Sequence, residues 1–157
     1  MIEQIYNFFT IEIVYFWVNL GVLPFWLILI FFPQSNLRKY FVTSIFPILI
    51  LSGAYIFLLY KAYLNSYDFI GNFELYLNIS NLLNLFSSEY FLILFWVHFV
   101  SINLFLGGWL VNDSQKFSIN KTLMAFPLVI TYLIGPIGIF IYWLLRIFYS
   151  KSINLYD

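Results

Sequence analysis

Four long stretches of the chain carry almost no polar side chain: Ile13 to Phe32, Tyr40 to Tyr60, Tyr90 to Val111 and Leu123 to Leu145. A helix crosses a hydrocarbon core of about 30 Å with about 20 apolar residues. The runs are continuous, whereas a β-barrel needs short alternating segments. Every charged residue from Arg38 to Lys151 falls between or beside them. The pattern predicts an all-α integral membrane bundle of four transmembrane helices, at about 13–32, 40–60, 90–111 and 123–145. Short connections at 33–39 and 112–122 make neighbouring helices antiparallel. The longer connection holds Leu75, Ile79, Leu82, Leu83 and Phe86 at helical spacing, with Asn78, Asn81 and Asn84 between them. It predicts a short amphipathic interfacial helix at about 74–86, between helices 2 and 3. With no repeat and no low-complexity linker, residues 1–157 read as a single membrane domain.

Composition agrees. Of 157 residues, 63% are hydrophobic and only 9% charged, against about a quarter charged in ordinary soluble domains. The aromatic share of 24% excludes a disordered chain. Seven basic and seven acidic residues balance, so no nucleic-acid partner is expected; the lipid bilayer is. The absence of cysteine removes disulfides, thiolate metal sites and cysteine nucleophiles together.

The start Met1-Ile2-Glu3 has no basic region and is neither Ser- nor Arg-rich, so direct insertion is expected. Four crossings would put both termini on one side. Arg38, Lys39, Lys116 and Lys121 lie in the connections 33–39 and 112–122, against Lys61, Arg146 and Lys151 on the other side. That balance favours a cytoplasmic position for those two connections.

Polar groups at membrane depth are the candidates for chemistry, because each costs free energy unless partnered. His98, the only histidine, stands near the middle of the third segment, and so does Asn103. At about 100° per residue, Asn103 lies about 140° from His98. A helix polar on two faces suits lipid poorly, so the third helix is expected to be the most enclosed. His98 could transfer protons or ligate a porphyrin or metal. The plainer account is a neutral imidazole bonded to a neighbouring helix. One histidine without cysteine makes a protein-only zinc site improbable, and a two-histidine haem is excluded. No metal site built from this chain's side chains alone is therefore expected. Gly107-Gly108 permit close helix approach or a flat ligand. Prolines, most densely at Gly135-Pro136-Ile137-Gly138, either open a cavity or improve packing. The tryptophans read as interfacial anchors, or as walls of an aromatic groove.

The run Phe95-Trp96-Val97-His98-Phe99, followed by Asn103-Leu104-Phe105-Leu106-Gly107-Gly108-Trp109-Leu110-Val111-Asn112-Asp113, resembles the abscisic-acid-deficient-four-like family of small four-helix membrane proteins. The likeness continues at Leu23-Pro24-Phe25-Trp26 and at Gly135-Pro136-Ile137-Gly138 leading to Tyr142 and Arg146. Plant members of that family are required for making the carotenoid neoxanthin. The resemblance implies a protein that acts on, or binds, a carotenoid or similar long apolar isoprenoid. The implied reaction opens a 5,6-epoxide, an isomerisation that needs proton transfer and no redox cofactor. In that reading His98 and Asn103 are catalytic. Trp96, Phe105, Gly107, Gly108, Trp109, Pro136, Gly138 and Tyr142 line the substrate, while Asp113 and Arg146 are interfacial charges. Two positions depart from the family pattern, with Asn103 in place of Asp and Gly108 in place of Arg. The loss of both charges favours the alternative of a non-catalytic pigment- or lipid-binding subunit, or an assembly factor within a homo-oligomer or larger membrane complex. The composition, rich in Ile, Asn, Phe and Tyr, and the start of the chain lead to the expectation of a bacterial inner (cytoplasmic) membrane.

Overall fold

The computed structural model describes residues 9–153, all helix, turn and coil without a strand among them. The helices are α1 (Ile11–Phe31), α2 (Phe46–Leu64), α3 (Ile79–Phe86), α4 (Glu89–Lys116), α5 (Lys121–Leu133) and α6 (Gly135–Ser150). A π-helical turn, Arg38–Val42, precedes α2, and a 3-10 turn, Gly71–Tyr76, precedes α3.

Three stretches are long and apolar enough to cross a membrane: Ile11–Phe31, Arg38–Leu64 and Glu89–Lys116, with mean hydropathies of 2.1, 2.2 and 1.9. The third has the largest buried share, 39% against 28% and 22%, as its polar faces led us to expect. The expected boundaries shift. The second helix proper starts at Phe46, because Thr43 to Ile45 leave helical geometry; Pro47 is then its second residue, where a missing N–H costs nothing. The third runs on to Lys116, so the connection expected at 112–122 shrinks to 117–120. The interfacial segment is two pieces rather than one. The Asn78 side chain, accepting from the Asn81 N–H at 2.8 Å, starts α3 at Ile79.

The largest correction concerns the fourth segment. It is not one helix but two, α5 and α6, of 13 and 16 residues. At about 1.5 Å per residue these span only about 20 and 24 Å. The break is at Ile134, with φ −143° and ψ 83°. In a straight helix, seven residues separate Cα atoms by about 10 Å. Here a Cβ built on Gly138 would fall 2.6 Å from the Cα of Thr131, so the chain doubles back. Gly138 is glycine because there is no room for a side chain against that backbone.

The described residues fall into two compact units, the first built from residues up to Leu20 and Leu49–Phe99, the second from Gly21–Ile48 and the remainder from Val100 on. In unit 1, Phe9 meets Phe57 edge to face, and the Lys61 ammonium donates to the Phe9 carbonyl. Burial pushes the Tyr67 hydroxyl above the ordinary tyrosine range, while hydrogen bonds with Ser88 and Asn72 pull it back. The amide of Asn19 accepts from the Trp96 indole at 3.2 Å. In unit 2, Trp26 packs against Tyr132 and against the bare backbone of Gly107, where a Cβ would lie 2.7 Å from the indole.

Candidate functional site

Three of the buried polar features of unit 2, and a cleft beside them, stand out. Asp113, in the last turn of α4, is 3% exposed. Its Oδ2 accepts from the Tyr142 hydroxyl at 2.6 Å and from Arg146 Nε at 2.8 Å. Tyr142 and Arg146 are four residues apart, so they share one face of α6. Arg146 is 1% exposed and also stacks over the Phe117 ring at 4.6 Å. A buried carboxylate is tolerable only with such charge-assisted partners. Lys116 approaches the other carboxylate oxygen at 3.8 Å from an exposed position, a contact worth little.

This contact sets the direction of α6. Gly135, at its start, lies against the Asn103 side-chain oxygen, and ten residues further along α4 Asp113 takes Tyr142 and Arg146. Hence α6 runs parallel to α4, and α5 and α6 form a hairpin with its tip beside Asn103. Asn103 is 4% exposed and its Nδ2 has no hydrogen-bond partner.

The third feature is Arg38, 2% exposed. Its Nη2 donates to Gln115 Oε1 at 3.2 Å and its Nη1 to Asn112 Oδ1, with a marginal contact to Thr43 Oγ1 at 3.5 Å. Its Nε has no partner. Gln115 is itself tied to the Pro33 carbonyl at 2.6 Å. Every one of these Arg38 partners is neutral.

The cleft, of about 680 Å³, lies beside this cluster. Thr43, Ser44 and Asn112 line its polar part, and Ile45, Ile48, Ile102 and Phe105 its apolar part, with Gly108 and Trp109 between. Its size is in the range of small-molecule sites, about 300–1,000 Å³. Trp109 meets Tyr142 edge to face at 6.0 Å, linking the cleft wall to the Asp113 cluster. A separate cleft of about 480 Å³ in unit 1 is lined by Glu12, Tyr15, Glu89 and Trp96.

Of the residues expected at a substrate, Phe105, Gly108 and Trp109 line the unit 2 cleft. Trp96 lines the unit 1 cleft. Gly107 is filled by Trp26, Gly138 packs on Thr131, Tyr142 is fully buried on Asp113, and Pro136 is exposed at the hairpin tip. On α4, His98 is exposed and Asn103 is buried, so the two expected catalytic groups do not share a face. Asp113 and Arg146, expected as interfacial charges, are a buried pair. Sequence reasoning missed Arg38, Thr43, Asn112 and Gln115. The one signal was Asn112 and Gln115 at helical spacing beyond the expected end of α4.

These features define a helical protein with three stretches of membrane-crossing length, a buried acid–arginine–tyrosine cluster and a neighbouring apolar cleft. The chain belongs to the ABA DEFICIENT 4-like family, whose model matches residues 13–142. It is 28% identical over 122 residues to the protein ABA DEFICIENT 4, chloroplastic, of Arabidopsis thaliana. The match covers 76% of this chain and 54% of the plant protein, so the chain spans about half the length of that relative. No solved structure matches. The expectation of a bacterial inner membrane is corrected by this relative, a chloroplastic plant protein. A composition rich in Ile and Phe is a weak guide to compartment, because apolar spans accept these residues in any bilayer.

Proposed function

We propose that this chain binds a carotenoid or similar long apolar isoprenoid in the unit 2 cleft, and that binding, rather than turnover, is what the cleft performs. Family membership supports the carotenoid-related role. The observation that carries the binding reading is the lining itself: aromatic and branched apolar walls, a hydroxyl and amide end, and no titratable side chain among the lining residues. Epoxide opening needs a proton donor and acceptor at the reacting carbon. His98 is not among the lining residues, and Asp113 is sequestered by Tyr142 and Arg146. A hydroxylated ring end would lie against Thr43 and Asn112, with the polyene along Ile48 and Phe105.

The test is retention and turnover together. The protein is made in cells that accumulate carotenoid, purified in mild detergent, and its absorption spectrum and extract are measured. A stoichiometric pigment is expected, with Trp109→Ala and Phe105→Ala each lowering retention several-fold and His98→Ala leaving it unchanged. A colourless protein free of isoprenoid would overturn the proposal. Conversion of supplied epoxy-carotenoid, abolished by His98→Ala, would replace binding with isomerisation.

A further inference from the structure

The charges of unit 2 do not balance. Its described residues include Arg38, Lys39, Lys116, Lys121, Arg146 and Lys151, but a single carboxylate, Asp113. That carboxylate is already committed to Arg146, Tyr142 and Lys116. Arg38 is thus a guanidinium withdrawn from water with only amide and hydroxyl oxygens around it and one N–H direction unused. Neutral acceptors satisfy hydrogen bonds but leave the charge uncompensated, and an uncompensated buried cation is costly at membrane depth. Among the described residues of unit 2, no carboxylate is left to supply the missing negative charge.

The surroundings say what brings it. Two Arg38 partners, Thr43 and Asn112, are also lining residues of the cleft. Asn112 is exposed, and a turn of its side chain would open Arg38 to that space. Beyond them the walls turn apolar, with Ile45, Ile48 and Phe105. The stretch Arg38–Leu64 begins at Arg38, and exposed Lys39 follows it, so this mouth sits where a helix of crossing length ends. Phosphate oxygens match the fork of a guanidinium, and an acyl chain matches the apolar walls.

We propose that Arg38 anchors an anionic phospholipid, its phosphate on the guanidinium and an acyl chain in the cleft. An anionic head group is favoured over a zwitterionic one, because Lys39 and Lys116 would repel a choline ammonium. The acyl chain would share the cleft that the isoprenoid reading uses, so the two occupants compete there; the test contains no carotenoid, and its failure leaves the isoprenoid reading standing.

Native mass spectrometry of the full chain in neutral detergent decides it. Phosphatidylglycerol and phosphatidylcholine of matched chains are titrated separately, with inorganic phosphate as a third arm. Phosphatidylglycerol is expected to bind at least about fivefold tighter than phosphatidylcholine, the scale of one basic residue at a membrane surface. Arg38→Gln should bring that ratio to near unity, Arg38→Lys should keep part of it, and Lys39→Gln should leave it intact. Absence of any head-group preference in the unaltered protein overturns the proposal whether or not the variants fold. So does a preference lost equally in Lys39→Gln, which would mark diffuse surface attraction. Inorganic phosphate that displaces phosphatidylglycerol at equal concentration would make this a free-anion site and overturn the lipid assignment.

Discussion

Units 1 and 2 share the three long helices but use polar side chains in opposite ways. The described charges of unit 1 are Glu12, Lys61, Asp68, Glu74 and Glu89, and none is buried. Its polar contacts are local or partly exposed, such as Asp68 capping the Ile70 and Gly71 N–H groups at 2.9 and 3.1 Å. Aromatic edges do the rest: Phe86 on Phe91 and Phe95, Tyr15 on Trp96. Unit 2 instead buries Arg38, Asn103, Asp113, Thr131 and Arg146. A unit held by apolar and aromatic contacts loses stability gradually as contacts are removed. A unit that buries charge fails abruptly when one partner is lost, because the survivor is stranded.

The sharpest way to break this comparison is topological. If the α5–α6 hairpin folds back within the bilayer, its two ends open on one side. The chain has no native cysteine, so single replacements at Lys121 and Lys151 are clean probes. Both should label with an impermeant maleimide from the same side of sealed vesicles. Labelling from opposite sides would restore a crossing fourth segment and refute the hairpin.

Next in size is Asp113→Ala. It strands Arg146 and removes the acceptor of Tyr142, so unit 2 should lose about 3–5 kcal/mol. The thermal midpoint in detergent should fall steeply, with Tyr142→Phe milder, at about 1.5–3 kcal/mol for a bond to a charged group. An unchanged midpoint for Asp113→Ala would deny the cluster its structural role.

The smallest effect belongs to unit 1. Trp96→Phe keeps an aromatic ring against Tyr15 but removes the indole donor to Asn19 and part of the ring volume. The expected cost is about 0.5–1.5 kcal/mol, read from the same melting curve. A loss as large as that of Asp113→Ala would erase the contrast between the units.

The helices were legible because run length and solvent are coupled: long apolar runs bounded by charge have few alternatives to helix in lipid. The caps at Asn78 and Asn120 follow the same local logic. The candidate site was legible in part. Phe105, Gly108 and Trp109 stand on one helix at spacings that a wheel reveals, and the structure puts them on one cleft. His98 was legible as a polar group near the middle of α4, but a polar side chain in an apolar run carries no mark of what it meets. Arg38 was hidden for a related reason: beside Lys39, before an apolar run, it reads as an ordinary loop charge.

By itself, then, the sequence determined that this chain is helical, where its three long apolar helices roughly lie, and which family motif the third of them carries. Those properties are set within one helical turn or one span, where residue type and spacing decide. The tertiary structure decided that Gly135-Pro136 reverses the chain instead of kinking it, that Asp113 reaches residues about 30 positions away, and that Arg38 is roofed by Asn112 and Gln115. Each depends on one backbone torsion pair at Ile134 or on close packing between segments remote in sequence, and neither leaves a periodicity to read.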